Sequence, residues 1–196
     1  MSTETCRAGT APHGQVLLAI ARASIAQALG QPAPATDERG TWLQQPGACF
    51  VTLTQGGELR GCIGSLQAHR PLLADVKANA VAAALHDPRF APLRPAELPD
   101  TDIEVSLLSP LQPLQPLQFA SEADALAQLR PAIDGVVFEY QGYRSTFLPQ
   151  VWEQLPSARE FMAHLKRKAG LPADFWAPGV RLQRYTVAKF KEGDAP

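Results

Sequence analysis

The chain has 196 residues, of which 45% are hydrophobic and 19% are charged, a balance that is typical of a folded globular protein and argues against extended disorder. Because 18 basic and 19 acidic residues leave a formal net charge of -1, the composition does not point to a nucleic-acid backbone or an anionic membrane as a partner. The N-terminus lacks the basic and then apolar layout of a secretory signal, and no apolar run approaches the about 20 residues that span a bilayer. We therefore expect a cytoplasmic protein with no nucleic-acid or membrane partner.

The first part of the chain predicts a helix followed by a β-hairpin. Residues 1–13 are expected to form a flexible N-terminus, and apolar residues at helical spacing predict a helix over 14–29. Residues 48–55, ACFVTLTQ, alternate as a strand does, and the next two glycines supply the positive φ of a tight turn. Residues 58–64, ELRGCIG, are predicted to return as the second strand.

A helix, a strand and a connection follow the hairpin. Pro71 can open a helix at its first turn, and LLADVKANAVAAAL after it has apolar residues at helical spacing. Residues 102–109 alternate as a strand, which completes the order β, β, α, β. The three PLQ repeats favour an extended, polyproline-like connection at 109–121, and Ser121 is a candidate N-cap for a short helix in SEADALAQL. We expect this connection to join two lobes.

The second part of the chain repeats this order of elements. Residues 135–149 predict a hairpin around a Gln-Gly pair, PQVWEQL and SAREFMAHLKRKAG predict helices, and residues 180–190 predict one long final strand before a tail at 192–196. The repeated order indicates an internal duplication in which the last strands complete a shared sheet. We therefore predict an α+β fold, with mainly antiparallel sheet flanked by helices, in two lobes of a single domain over 14–191.

The three cysteines, Cys6, Cys49 and Cys62, show no pairing pattern. Their number is odd, no CxxC pair occurs, and no histidine lies at the spacing of a zinc finger. Disulfides and structural zinc are both disfavoured. We expect free thiols, no metal and no cofactor.

The strongest candidate site is on the second hairpin strand and comprises Arg60, Gly61, Cys62, Ile63, Gly64 and Ser65. A thiol is a poor nucleophile until it ionises, and a nearby cation favours ionisation. Strict alternation puts Arg60 on the same strand face as Cys62. The glycines on either side would let a ligand approach the sulfur, and Gly64 with Ser65 would offer donors to an anion. Alternatively, Cys62 is a small residue packed in the interior, as free cysteines often are.

Two further groups are candidates for binding a small ligand. Asp87 and Arg89 flank a proline that fixes the chain, so the pair can orient a guanidinium toward a carboxylate or phosphate. Alternatively, the pair only stabilises its loop. Glu104 lies in the predicted strand at 102–109, on a face that is ordinarily solvated, and reaches Arg60 only if that strand lies beside LRGCIG.

In chain order we find ACFVTLTQGGELRGCIGSLQAHRPL, DPRFAPLRPAEL, DIEVSLLSP, TFLPQVW and KAGLPADFW. Together these stretches resemble the AMMECR family, whose bacterial and archaeal members are called AmmeMemoRadiSam system protein A. The likeness runs from about residue 14 to residue 191, and LRGCIG resembles the signature of the family. The resemblance implies an α+β fold with a larger and a smaller lobe, and an association with a Memo-like protein and a radical SAM protein.

The resemblance does not supply a reaction. It implies that the residues of LRGCIG form a functional patch, not a catalytic set. Where related sequences often have HLCxKAG, this chain has HLKRKAG at 164–170. A mechanism that requires a second thiol at that position is therefore not available to this chain.

Two classes of function follow from these observations. In the first, the protein is an accessory or small-ligand-binding component that acts with Memo-like and radical SAM proteins through the LRGCIG patch. In the second, it is a small enzyme in which Cys62 is the nucleophile and Arg60 binds an anion. We favour the first, because the sequence shows no base for the thiol.

Overall fold

The computed structural model describes residues 11–109, 112–113 and 119–193. Its chain divides into two compact units. The first unit comprises Met1–Leu108 and Ala188–Pro196, and the second comprises Ser109–Val187.

The first unit combines a four-stranded sheet with two helices. Its helices and strands are α1 (Ala11–Ala28), β1 (Pro46–Gly47), β2 (Cys49–Gln55), β3 (Glu58–Gly64), β4 (Arg70–Pro71), α2 (Leu72–Leu85), β5 (Asp102–Leu108) and, near the C-terminus, β10 (Val187–Lys191). Short 3-10 helices span Thr41–Gln44 and Pro95–Asp100. The strand order of the sheet is β10-β5-β2-β3, and β2 runs antiparallel to both of its neighbours. Strands β1 and β4 form a separate two-stranded ladder.

The core of the first unit lies between α1, α2 and one face of the sheet. Successive side chains of a strand point to opposite faces, so β2 buries Val51 and Leu53 completely, whereas Phe50 and Thr52 are only half-buried. The helices contribute further apolar side chains to this core, among them Leu17, Ile20, Ile25, Leu72, Val76, Ala80 and Ala83. We call the opposite sheet face, which carries Phe50 and Thr52, the outer face.

The second unit also contains a four-stranded sheet, of order β6-β9-β7-β8. Its elements are β6 (Gln112–Pro113), α3 (Glu122–Leu126), β7 (Gly135–Tyr140), β8 (Tyr143–Phe147), a 3-10 helix (Pro149–Glu153), α4 (Ala158–Lys168) and β9 (Arg181–Tyr185). Its core combines aliphatic and aromatic side chains: the rings of Trp152 and Phe161 stack with centroids 3.9 Å apart, and Phe138 is fully buried.

The two sheets repeat one topology. In β3-β2-β5 and in β8-β7-β9, the first hairpin strand is central and pairs with the second hairpin strand on one side and with a later strand on the other. The predicted α+β class is confirmed, and the strand predicted at 102–109 occupies a place equivalent to that of the first part, β9, of the strand predicted at 180–190. The predicted shared sheet is wrong, because the described residues form a separate four-stranded sheet in each unit.

The final strand is divided, although the sequence predicts one continuous strand over 180–190. Strands β9 and β10 are separated by Thr186 and belong to different sheets. The N–H group of Thr186 donates to Ser109 Oγ over 2.8 Å, and its carbonyl accepts from the Ser109 N–H over 2.9 Å. Both main-chain groups of Thr186 are therefore bonded outside the sheet ladders, and the strand ends on either side of it.

Several predicted segments fall partly outside the described residues. This applies to residues 1–10, 110–111, 114–118 and 194–196, and hence to most of the predicted polyproline-like connection. Helix α1 begins at Ala11, three residues before its predicted start at 14. Glu192, in the predicted tail, accepts a hydrogen bond from Arg22 Nε over 2.6 Å and donates its N–H to the Ile103 carbonyl over 3.0 Å. Among the described residues, no helix combines the length and the apolar character needed to cross a membrane.

Candidate functional site

Cys62 lies on β3, the strand at one edge of the first unit's sheet. Gly61 and Ile63 on either side of it face the core, so the Cys62 side chain lies on the outer face. Thr52 is its partner on β2, and Thr52 Oγ1 donates a hydrogen bond to Cys62 Sγ over 3.3 Å. The residue is half-buried. It is therefore neither sealed in the core nor fully exposed.

The main chain of Cys62 is bound by Asp87 and Arg89, which follow α2. The Cys62 N–H donates to Asp87 Oδ2 over 2.9 Å, and Arg89 Nη2 donates to the Cys62 carbonyl over 3.2 Å. An edge strand presents N–H and C=O groups that no neighbouring strand satisfies. The carboxylate and the guanidinium satisfy these groups at Cys62, where a further strand would otherwise do so.

Asp87 also fixes the orientation of the Arg89 guanidinium. Arg89 Nε donates to Asp87 Oδ1 over 2.9 Å, and Arg89 Nη2 donates to Oδ2 over 2.7 Å. The Asp87 side chain is 2% exposed and that of Arg89 is 53% exposed, so a buried carboxylate supports a cation that reaches solvent. The hydrogen bonds from Arg89 and from the Cys62 amide hold the pKa of Asp87 well below its usual range, and Asp87 raises the pKa of Arg89. The pair is ionised at neutral pH.

Arg60 is turned toward the segment that follows α2. The pairing of β2 with β3 shifts beside Arg60, which forms a β-bulge and interrupts the alternation that would put Arg60 next to Cys62. The Arg60 guanidinium donates to the Ala91 carbonyl over 2.8 Å and lies 3.5 Å from Glu97 Oε1. The arginine bonded to Cys62 is Arg89.

Packing explains both glycines of LRGCIG. A β-carbon on Gly61 would lie 2.2 Å from the Ala83 carbonyl oxygen of α2, and one on Gly64 would lie 2.3 Å from the Phe50 ring. Ile63 packs against the hydrophobic core. The positions that a side chain would take at these two glycines are therefore already occupied by other atoms of the protein.

Glu104 shares the outer face with Cys62 but lies two strands away. Thr52 is between them, because it pairs with Cys62 on β3 and with Glu104 on β5. Ser106 Oγ donates to Glu104 Oε1 over 3.3 Å, and Lys189 Nζ lies 3.9 Å from the same oxygen. Because β2 separates β5 from β3, the condition under which Glu104 was expected to reach the arginine of LRGCIG is not met. We call Cys62, Thr52 and Glu104 the polar row.

A buried polar network at the end of β3 was not identified from the sequence. Its centre is the carboxylate of Asp75 on α2, which is 1% exposed. This carboxylate accepts hydrogen bonds from the Cys49 N–H over 2.9 Å, Ser65 Oγ over 2.7 Å, Arg70 Nε over 2.9 Å and Asn79 Nδ2 over 3.0 Å. The hydroxyl of Ser65, predicted to be a donor to a ligand, is therefore used inside the protein.

The same network encloses the thiol of Cys49. Cys49 is fully buried, and its Sγ donates to Asp75 Oδ2 over 3.4 Å. Burial, and next the negative charge of Asp75, raise the pKa of the Cys49 thiol. Asp75 and Asn79 are four residues apart on α2, within the stripe of residues that the helix buries. Two polar residues inside an apolar stripe are the sequence signal that would have revealed this network.

Lys166 of the second unit stands where the resembling sequences often have a cysteine. Its side chain is 1% exposed, and its Nζ donates to Glu122 Oε1 over 2.8 Å and to the Phe175 carbonyl over 3.0 Å. A buried ammonium needs such partners, because an unpaired charge in the interior is costly. At this position, the chain has a paired structural cation in place of a thiol.

Comparison with known proteins places the chain in a family. The AMMECR1 family model matches residues 18–190. The chain belongs to the AMMECR1 family. It is 37% identical over 188 residues to a protein of Methanothermobacter thermautotrophicus, a match that covers 92% of this chain and 94% of the relative. It is also 37% identical to a protein of Thermotoga maritima, over 72% of this chain and 76% of the relative.

A solved structure has a similar fold. The crystal structure of an uncharacterised protein from Pyrococcus horikoshii matches with a TM-score of 0.76 and 28% identity, over 92% of this chain and 91% of that chain. The resemblance to the AMMECR family is therefore confirmed. Membership in the AMMECR1 family does not by itself assign a reaction.

Proposed function

We propose that this AMMECR1-family protein is a cytoplasmic accessory component that binds a small anionic ligand at the edge of β3. The observation that carries the proposal is the Arg89 guanidinium, which Asp87 holds in one orientation while half of the Arg89 side chain remains exposed. Arg89 Nη1 has no hydrogen-bond partner within the described part of the chain. It is the donor that a ligand would use.

A guanidinium is well suited to a carboxylate or a phosphate, because its planar array of N–H groups matches the spacing of two anionic oxygens. Binding costs less when the donor is already oriented, since little side-chain freedom remains to be lost. Asp87 provides this orientation here. The polar row supplies further contacts. Through them, the thiol of Cys62 and the carboxylate of Glu104 discriminate between anions that differ in their other functional groups.

Family membership supports the second part of the proposal, that the protein acts together with a Memo-like protein and a radical SAM protein. Those partners are implied by the resemblance to AmmeMemoRadiSam system protein A. In this account the AMMECR1-family protein holds or presents a small molecule, and its partners carry out the chemistry.

The alternative is an enzyme in which Cys62 is the nucleophile and Arg60 binds an anion. Arg60 supports it poorly, because its guanidinium is occupied by the Ala91 carbonyl and by Glu97. The sulfur of Cys62 accepts a hydrogen bond from a threonine hydroxyl, which is not a general base. The geometry therefore favours binding over nucleophilic catalysis.

A titration with inorganic phosphate tests the binding site. In NMR spectra of the nitrogen-15-labelled protein, phosphate is expected to shift the Cys62 amide and the Arg89 side-chain resonances saturably. Arg89→Ala should abolish the response, and Arg89→Lys should weaken it, because lysine keeps the charge but loses the planar donors.

The matched control is Arg39→Ala. Arg39 forms the same local pair with Asp37 that Arg89 forms with Asp87. Both side chains of this pair are largely exposed, that of Arg39 to 91% and that of Asp37 to 57%. This variant should respond to phosphate as the unmodified protein does. A response that is absent in the unmodified protein, or that persists in Arg89→Ala, would contradict the proposed site.

Co-expression tests the proposed partners. The tagged chain, expressed with the Memo-like and radical SAM proteins of the same genome, is expected to elute with at least one of them in size-exclusion chromatography. Arg39→Ala should leave this complex intact. Separate elution of all three purified proteins, with and without added phosphate, would contradict the partnership while leaving the ligand site standing.

A further inference from the structure

Arg70 is a second arginine whose guanidinium is held by a buried carboxylate. Arg70 Nε donates to Asp75 Oδ1 over 2.9 Å, and Arg70 Nη2 lies 3.5 Å from Asn79 Oδ1. The Asp75 side chain is 1% exposed, whereas that of Arg70 is 42% exposed. Nη1 of Arg70 has no hydrogen-bond partner among the described residues. An oriented donor therefore reaches solvent here as well.

The carboxylates that hold these two arginines are both bonded to β3 or to the residue that follows it. Asp75 accepts from Ser65 Oγ over 2.7 Å, immediately after β3, and Asp87 accepts from the Cys62 N–H over 2.9 Å, within β3. Ordinary exposed ion pairs lack this feature, because their carboxylates have no fixed place in the core. Each carboxylate thus ties one guanidinium to a defined position along β3.

The separation of these positions follows from strand geometry. Cys62 and Ser65 are three residues apart, which corresponds to about 10 Å along an extended chain. Helix α2 lies along β3 between them, since the Ala83 carbonyl is in contact with Gly61 and the Asp75 carboxylate with Ser65. The two carboxylates that hold the guanidinium groups are therefore bonded to the chain at points about 10 Å apart, a distance that a single carboxylate or phosphate does not span.

We propose that the ligand is an extended dianion, with one anionic group bound by Arg89 and the other by Arg70. This inference rests on the proposed ligand site at Arg89 and adds a second binding residue and a ligand class. The two anionic groups are carboxylates or phosphates about 10 Å apart. A molecule that contacts both guanidinium groups binds more tightly than a molecule with only one of the two anionic groups, because its second contact forms intramolecularly.

A series of α,ω-dicarboxylates of increasing length, from succinate to dodecanedioate, measures this spacing in the unmodified protein. The dissociation constants are read from the shifts of the Cys62 amide and the Arg70 and Arg89 side chains. Affinity is expected to pass through a maximum for members whose carboxylates are about 10 Å apart, about tenfold tighter than the monocarboxylate hexanoate. At that length the resonances of both arginines should move together.

Variants separate this inference from the proposed site itself. Arg70→Ala should lower the affinity for the best dicarboxylate to that for hexanoate and leave the affinity for hexanoate unchanged. Arg70→Lys should lower the affinity for the dicarboxylate by less. Arg94→Ala is the matched control, because Arg94 is 80% exposed in an ion pair with Glu97. Because removal of Arg70 disturbs the Asp75 network, the melting temperature of each variant is recorded as well.

The outcomes are distinct. An affinity that rises steadily with chain length, or that does not depend on it, overturns the dianion and leaves a single anion site at Arg89. A maximum that persists undiminished in Arg70→Ala overturns the role of Arg70. Absence of binding by phosphate, hexanoate and every dicarboxylate overturns the proposed site and this inference together.

Discussion

Cys49 on β2 and Cys62 on β3 differ in what surrounds the sulfur. Cys49 is fully buried and its Sγ donates to Asp75, whereas the half-buried Cys62 accepts at Sγ from the hydroxyl of Thr52. Burial, and next the charge of Asp75, raise the pKa of the Cys49 thiol. The charged residues that bind Cys62, by contrast, contact its main chain.

This difference shows that a cysteine's role depends on its polar neighbours more than on the residues beside it in the chain. The network of Asp75 uses the donors of Cys49 and Ser65, so these two residues have structural roles. The pair of Asp87 and Arg89 satisfies the main chain of Cys62 and still leaves part of a guanidinium exposed. One cysteine therefore belongs to the core, and the other marks the candidate binding edge.

Removal of the Asp75 carboxylate should have the largest effect on stability. Asp75→Ala leaves the buried Cys49 N–H without its acceptor, removes one of the acceptors of Asn79 Nδ2 and leaves Arg70 without its counter-charge. We expect the free energy of unfolding, measured with urea, to fall by about 3–5 kcal/mol. Asp37→Ala, which removes an exposed carboxylate, should cause no measurable loss. A loss below about 1 kcal/mol for Asp75→Ala would mean that the network is not structural.

Gly61→Ala tests whether the glycines of LRGCIG serve packing. The added β-carbon would meet the Ala83 carbonyl oxygen at 2.2 Å, so β3 and α2 must separate. Overpacking of this kind costs about 1–3 kcal/mol of unfolding free energy. Leu59→Ala on the same strand, where the residue is 43% exposed, should change the unfolding free energy by less than about 0.5 kcal/mol. If both variants are equally stable, packing does not require the glycine.

The pair of Asp87 and Arg89 should contribute less to the free energy of unfolding than these two features, and its contribution should depend on pH. The folded-state pKa of Asp87 is lowered, so the ionised carboxylate stabilises the protein at pH values above the unfolded-state pKa of about 3.9. This stabilisation is lost as the pH falls toward the folded-state pKa of Asp87. Asp87→Asn should therefore be less stable than the unmodified protein at pH 7, with the difference closing below about pH 4.

Urea unfolding of both proteins at a series of pH values measures this difference. Asp37→Asn is the control, because solvent screens its exposed pair with Arg39. A difference in unfolding free energy between Asp87→Asn and the unmodified protein that grows as the pH falls would contradict this prediction.

Local patterns were sufficient to predict the hairpin of β2 and β3. Alternation and the Gly-Gly turn are properties of adjacent residues, and they specified both strands before any tertiary contact was known. The bulge beside Arg60 depends on how the strands pair across the turn, so the direction of Arg60 could not be predicted. The division of the last strand at Thr186 likewise depends on a contact with Ser109, far away in the chain.

The candidate site was predictable only in part. Asp87 and Arg89 were recognised as a pair because only Pro88 separates them, but their attachment to Cys62 spans 25 and 27 residues and has no local signature. Asp75 and Asn79 could have been found, since they are polar residues within an apolar helical stripe. The partners of a buried carboxylate come from other elements, and sequence periodicity does not identify them.

The central claim is that Cys62 is at an accessible binding edge while Cys49 is sealed in a structural network. Timed alkylation with iodoacetamide at neutral pH, read by mass spectrometry of each cysteine-containing peptide, tests it most directly. We expect Cys62 to be labelled at least about a hundredfold faster than Cys49 in the folded protein, since Cys49 must wait for an opening of the structure. In urea the two should react at similar rates. Equal labelling in the folded state, or faster labelling of Cys49, would contradict the account.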